Sequence, residues 1–197
     1  MGTRHLICVK KDNEYKIAQY GQWDGYLDGQ GKKILSFLKD KKNIEKLKNN
    51  LNKIRFIDDV KDKDLIEAYD KNAPQWSNAP DKRTKEQLHW FETYMTRDLS
   101  SDILINIADS SDDSILLRNE IAFAGDSLFC EYAYVIDLDK NTFEIFKGFN
   151  KNPLDENDRF YAYKQDGEYH PIKLLKTYDL NKLPTEKQLL KLDKDAE

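Results

Sequence analysis

Leu128-Phe-Cys-Glu-Tyr-Ala-Tyr-Val-Ile-Asp-Leu138, followed by Asp139-Lys-Asn141 and Thr142-Phe-Glu-Ile-Phe-Lys147, is the stretch that decides the fold. Its residues are aromatic and β-branched, the types that suit a pleated, half-buried surface. Asp-Lys-Asn supplies a turn, so the second run doubles back on the first as a hairpin. A second pair of apolar runs stands at the other end of the chain, His5 to Lys10 and Tyr15 to Tyr20, separated by Lys11-Asp-Asn-Glu14. These too read as a hairpin. Two further strands are expected over Asp158–Lys164 and Tyr169–Tyr178, on either side of Gln165-Asp-Gly167.

Helical spacing fills the interval. Ile34, Leu35, Phe37 and Leu38 open it, and Ile44, Leu47, Leu51 and Ile54 continue in steps of three and four. Asp64–Tyr69 makes a short third helix, and Asn72–Lys82, with Pro74 and Pro80, is a connector. Thr84 caps the next helix with Gln87 three residues on, and Leu88, Phe91 and Met95 form its apolar face. Ser100 or Ser101 caps another that runs through Ile107, until Asp109-Ser-Ser-Asp-Asp113 breaks it. Pro184-Thr-Glu186 starts a short C-terminal helix. Strands at both ends and helices between them, over about residues 31–108, predict an α+β protein. Its mainly antiparallel sheet is built from the N-terminal hairpin and the C-terminal strands, in one domain over 1–197.

The chain has 197 residues, enough for a core without disulfides or metals. Only 39% is hydrophobic, but 11 Tyr, 9 Phe and 3 Trp supply large rings to fill it. Acids outnumber bases 36 to 32, and a net charge of −4 argues against a nucleic-acid partner. The basic run Lys39–Lys53 has helical spacing and reads as a solvated helix face. Cys8 and Cys130 lie in apolar runs and match no disulfide framework or metal spacing. No apolar run is long enough to cross a membrane, and no signal-peptide core opens the chain, so the expected compartment is the cytoplasm. The start does not fit N-myristoylation either, because Leu6 stands where that motif needs Ser or Thr.

The segment with most chemistry is Gly21-Gln-Trp-Asp-Gly-Tyr-Leu-Asp-Gly-Gln-Gly31, which holds four of the chain's eight glycines. Glycines let a ligand approach the backbone, and Gly29 and Gly31 lead straight into a helix whose first amides can face an anion. Gln19, Gln22, Asp24 and Gln30 offer polar edges, and Tyr20, Trp23 and Tyr26 offer flat faces. The loop is neither a Walker motif nor a dinucleotide fingerprint. A packed structural turn is its bland reading. Arg4 and His5 enter the first strand beside it; Arg4 is a candidate for neutralising ligand charge, and His5 reads as a structural histidine. Asp137-Leu-Asp139-Lys-Asn141 lacks the Gly and Glu of a calcium loop and reads as turn chemistry. His89 and His170 have no partner at metal spacing, so no metal or cofactor is expected. Glu131 is either solvent-facing or a partner for a cation such as Arg4.

Gly2-Thr-Arg-His-Leu-Ile7, Ala18-Gln-Tyr-Gly-Gln-Trp-Asp-Gly-Tyr26 with Gly29-Gln-Gly31, and Tyr134-Val-Ile-Asp-Leu-Asp139 resemble a poorly characterised family of small bacterial and phage proteins, a resemblance that implies no activity. More loosely, the layout is similar to N-terminal-nucleophile hydrolases and class II glutamine amidotransferases. These begin with a strand whose first residue is the nucleophile, and a Gly-rich loop follows. Thr3 would hold that place, although Met1-Gly2 precede it here.

The leading expectation is a binding protein rather than an enzyme. Its small-molecule ligand is planar, anionic and nucleotide-like, held by Arg4, Gln19, Tyr20, Gln22, Trp23, Asp24, Tyr26, Gly29 and Gly31. Phage-encoded capture of a nucleotide signal is one version of this. The alternatives are an amide hydrolase using Thr3 and a protein-interaction module that docks through Trp23 or Trp76.

Overall fold

The computed structural model describes residues 2–75 and 79–193, and Trp76 lies outside them. The protein is α+β. Its main sheet has five strands in the order β2-β1-β5-β6-β7. These are β1 (His5–Lys11), β2 (Glu14–Gly21), β5 (Tyr132–Asp137), β6 (Thr142–Lys147) and β7 (Lys173–Asp179). Three of its four pairings are antiparallel; β1 and β5 run parallel, with His5 beside Tyr132 and Lys10 beside Asp137. The first hairpin closes through Asp12 and Asn13, both in the left-handed region, which matches the twist of the strands they join.

Each face of the sheet carries its own core. Ile7, Val9, Ile17, Tyr134, Ile136, Phe143 and Ile145 face a layer of helices. That layer contains α1 (Lys32–Lys39), α2 (Lys41–Asn50), α5 (Asp102–Ala108) and α6 (Glu186–Lys191), which contribute Ile34, Leu35, Leu47, Ile103, Leu104, Ile107 and Leu189. The opposite face presents Leu6, Cys8, Ala18, Ala133, Val135 and Phe146 to Ile121, Ala124, Phe160 and Ile172 from irregular segments. Cys8 and Cys130 are free thiols buried on that side.

Two helices, α3 (Lys63–Asn72) and α4 (Lys85–Trp90), complete the set. Thr84 and Gln87 form a reciprocal capping box at α4, and Thr185 and Gln188 repeat it at α6. No helix among the described residues is long and apolar enough to cross a membrane.

Three elements differ from the sequence reading. Ile54 is not the end of a helix: α2 stops at Asn50, and Ile54–Phe56 is a strand, β3, parallel to β4 (Ile115–Leu117) in a small second sheet. The i, i+3 spacing of Leu51 and Ile54 is met by one 3₁₀ turn followed by an extended residue. Leu128–Glu131 precede β5 rather than belonging to it.

Asp158–Lys164 is not a strand but a turn and a short 3₁₀ segment. It crosses the sheet face, where Phe160 fills the core and Arg159 reaches under it. Arg159 donates to Asp137 Oδ2 at 2.6 Å and to both oxygens of Glu144 at 2.7 and 2.6 Å, with all three side chains nearly inaccessible. Burial opposes charge on Asp137, yet Arg159 and the Lys140 amide hold its carboxyl below the usual range.

Removing the cation would leave two buried carboxylates uncompensated. Arg159→Met is therefore expected to destabilise the protein by about 3–5 kcal/mol in urea unfolding at neutral pH, and the triple variant with Asp137→Asn and Glu144→Gln to recover part of that loss. A loss below about 1 kcal/mol would show that the cluster is solvated.

Candidate functional site

The residues nominated by the sequence gather at the end of the sheet where β1 begins and β2 finishes. There they divide between the two faces. Tyr20 pairs with Leu6 and so shares the face of Leu6 and Cys8, whereas Gln19 pairs with Ile7 and lies, buried, under the helices. Arg4, Tyr20 and Gln22 stay on the first side. Tyr20 donates to Gln22 Oε1 at 2.6 Å and sets its ring edge-on to Phe123, and the Arg4 guanidinium lies 4.3 Å from the centre of the Phe129 ring. Glu131 accepts from the Arg4 backbone amide at 3.3 Å, not from its guanidinium.

The glycine loop closes on itself. Gly25 N donates to the Thr3 carbonyl at 2.9 Å, Gln30 N to Asp24 O at 2.9 Å, and Gly29 N and Gly31 N both to Tyr26 O at 3.1 Å. The amides that the sequence reading offered to an anion are thus committed within the loop, and Leu27–Gly31 forms one π-type turn running into α1. Gln30, one of the polar residues of the loop, is the hub. Its buried Oε1 accepts from Ser101 N at 3.1 Å and Ser101 Oγ at 2.6 Å, tying the loop to the start of α5. Tyr134 donates to Gly25 O at 2.7 Å from beneath.

The glycines make room for the chain's own atoms. A Cβ on Gly21 would stand 2.2 Å from His5 Nε2 and 2.9 Å from Ser100 Oγ, and one on Gly25 would stand 2.7 Å from the Thr3 carbonyl. Trp23 and Tyr26 are about half exposed, at 46% and 47%. Trp23 covers Gly2 and donates to Asp98 at 2.9 Å. Thr3 is only 3% exposed, and its carbonyl accepts from Gly25 N.

His5 is fully buried at this junction. Its Nδ1 sits 3.4 Å from the Thr3 carbonyl, which places the proton there and leaves Nε2 without a hydrogen-bond partner among the described residues. Burial lowers its pKa to about 4, and the Thr3 contact only partly offsets that.

A well-formed hollow lies elsewhere. A cavity of about 790 Å³ opens between α4 with its continuation and residues 111–116; its lining includes Trp90, Tyr94, His89, Glu86, Asp112 and Asp113. Phe91–Met95 continue α4 as a π turn, which displaces Tyr94 relative to an α-helical path. Tyr94 donates to Asp112 Oδ2 at 2.6 Å and exchanges a hydrogen bond with Ser110 Oγ at 2.7 Å. His89 Nε2 approaches the same Asp112 oxygen at 3.2 Å, and Thr93 Oγ1 lies 3.4 Å from His89 Nδ1. Burial and the Asp112 bond push the Tyr94 hydroxyl up to about 12, so it stays a donor at neutral pH; the same bond, before His89 and Ser110, keeps Asp112 below its ordinary value and ionised. Trp90 is anchored by donation to Leu116 O at 2.9 Å.

The sequence reading passed over this cluster. His89 and Asp112 are 23 residues apart, and their only sequence signals were a helix face and an acidic break. Among the described residues no group of three His, Cys, Asp or Glu side chains is arranged to hold a metal. No family model, curated protein or solved structure matches this chain.

The buried His5 makes stability depend on pH. Its folded pKa lies below the ordinary 6.5, so the unfolded chain binds the proton more readily. The stabilisation is complete above about pH 6.5 and is lost as pH falls toward 4, by at most roughly 3 kcal/mol. Urea unfolding across this window is expected to show a shallower pH dependence for His5→Gln than for the native chain. Parallel curves would place the imidazole in contact with water.

Proposed function

We propose that this protein binds a small molecule in the cavity between α4 and residues 111–116, and that the ligand is an organic cation with a flat apolar body. The cavity carries this reading. Its volume falls in the range of small-molecule sites, its walls combine the rings of Trp90 and Tyr94 with carboxylates and hydroxyls, and it contains the part-buried Tyr94–Asp112 pair. Three carboxylates, Glu86, Asp112 and Asp113, border it, and among the described residues the only basic side chain lining it is His89. A protonated amine satisfies such a lining, and an anion is repelled by it. The indole of Trp90 adds a face on which a cation or a planar ring can rest.

This reading keeps the small-molecule expectation and changes both place and charge. The nucleotide-like anion expected at Arg4 needs free amides near Gly31, and those amides bond to Asp24 O and Tyr26 O. Nothing in the geometry around Thr3 favours the hydrolase alternative.

Tryptamine, indole and indole-3-acetate share one ring and differ in charge. Titrated into the protein with backbone-amide NMR as readout, tryptamine is expected to shift residues 86–94 and 111–116 most strongly, indole weakly and the acetate least. Asp113→Asn, at an exposed position, should weaken tryptamine about 3- to 10-fold and leave indole unchanged. If none of the three perturbs those amides, the cavity is not a ligand site.

A further inference from the structure

Six of the large apolar side chains exposed on this protein collect at one end of the main sheet: Trp23, Tyr26, Leu128, Phe129, Phe149 and Leu174. They follow from topology, because β1, β5 and β7 begin at that end while β2 and β6 finish there. The segments that carry them are joined by contacts. Arg4 lies over Phe129, Phe149 N donates to Ser127 O at 2.7 Å, and Phe149 and Leu174 line one hollow of about 390 Å³. Single exposed apolar residues are ordinary, but a gathered set marks an interaction surface. Phe149 stands out among them. Its φ is +55°, a conformation that disfavours a bulky residue, and it holds a ring that is 53% exposed.

The hollow opens beside β7, the last strand of the sheet, whose outer edge pairs with no other strand among the described residues. Five of its seven residues are exposed. Register places Lys173 and Lys176 on the helix-bearing face, opposite Lys147 and Ile145, and Leu174 on the other face, opposite Phe146. Neither Lys173 nor Lys176 has a carboxylate within ion-pair distance among the described residues, whereas Lys147 and Lys151 on the rim of the hollow are paired with Asp193 and Glu168. A lysine-bearing edge interrupted by a bulge between Leu174 and Lys176 resists pairing with its own copy, where lysines would face lysines. The same edge accepts a strand of opposite charge.

We infer that the free edge of β7 and the hollow at its start bind an extended acidic segment of a partner protein. The segment adds as a sixth strand with carboxylates toward Lys173 and Lys176 and an apolar side chain between Phe149 and Leu174. Main-chain hydrogen bonds to the edge provide the affinity, and the alternation of acidic and apolar positions provides the selectivity. A peptide fits better than a lipid surface, because an unpaired strand edge offers backbone donors and acceptors in one line and a bilayer has no use for them.

A random dodecapeptide display library panned on the full chain tests this. Enriched peptides are expected to alternate acidic with apolar residues, and a synthetic peptide of that consensus should shift the amides of 147–151 and 173–179. The double variant Lys173→Glu/Lys176→Glu, at exposed positions, should weaken that peptide by about tenfold or more. Phe149→Gly, which relieves the backbone, should weaken it as well without lowering thermal stability. The inference is overturned if no acidic peptide is enriched, if the shifts fall elsewhere, or if charge reversal leaves binding unchanged. Sedimentation with phosphatidylserine vesicles in place of peptide binding would overturn it too.

Discussion

The rest of the structure depends on the parallel pairing of β1 with β5. It joins residues about 127 positions apart, and no local signal announces it. β1 lies between β2 and β5, and Leu6, Ile7, Cys8 and Val9 are fully buried on alternate faces. A slip of one residue would send Ile7 and Val9 to the Cys8 side and Leu6 toward the helices, so the two distinct cores fix the register. Closing so long a loop is entropically unfavourable until those cores form, which predisposes the chain to slow, cooperative assembly.

That pairing also explains the glycine loop. Tyr134 of β5 rises beside β1 to donate to the Gly25 carbonyl, and Gln30 holds Ser101 at the start of α5. The loop therefore serves as the clasp between sheet and helices. At Gly21, Gly25 and Gly31 the volume a side chain would need is occupied by His5, the Thr3 carbonyl and the Tyr134 ring, and at Gly29 by the backbone of Asp24. An imidazole buried with no partner for Nε2 among the described residues lowers stability, and His5 places one against Gly21 and Gly25 of this clasp.

The two proposed binding surfaces differ in charge. The cavity beside α4 is acidic and ring-lined; the free edge of β7 is basic with an apolar rim. With a net charge of only −4, bulk composition conceals this separation. The ion cluster around Arg159 connects neither. It anchors the irregular layer over the second face of the sheet and is satisfied internally.

Much of this was legible from local patterns. Alternation and turn residues determined both hairpins, and capping residues placed α4 and α6 where Thr84 and Thr185 stand, because these signals act over two to four residues. The sequence by itself also marked 21–31 as an unusual loop, though not whether its glycines admit a ligand or the protein's own atoms. Only tertiary structure decided that Asp158–Lys164 crosses the sheet instead of joining it, that Ile54–Phe56 finds Ile115–Leu117, that Gln30 meets Ser101, and that His89, Tyr94 and Asp112 converge. The physical reason is common to all four: each depends on burial and hydrogen bonding between segments far apart in the chain. No spacing rule reaches across that distance, and residue type alone does not reveal which partner a polar group will meet.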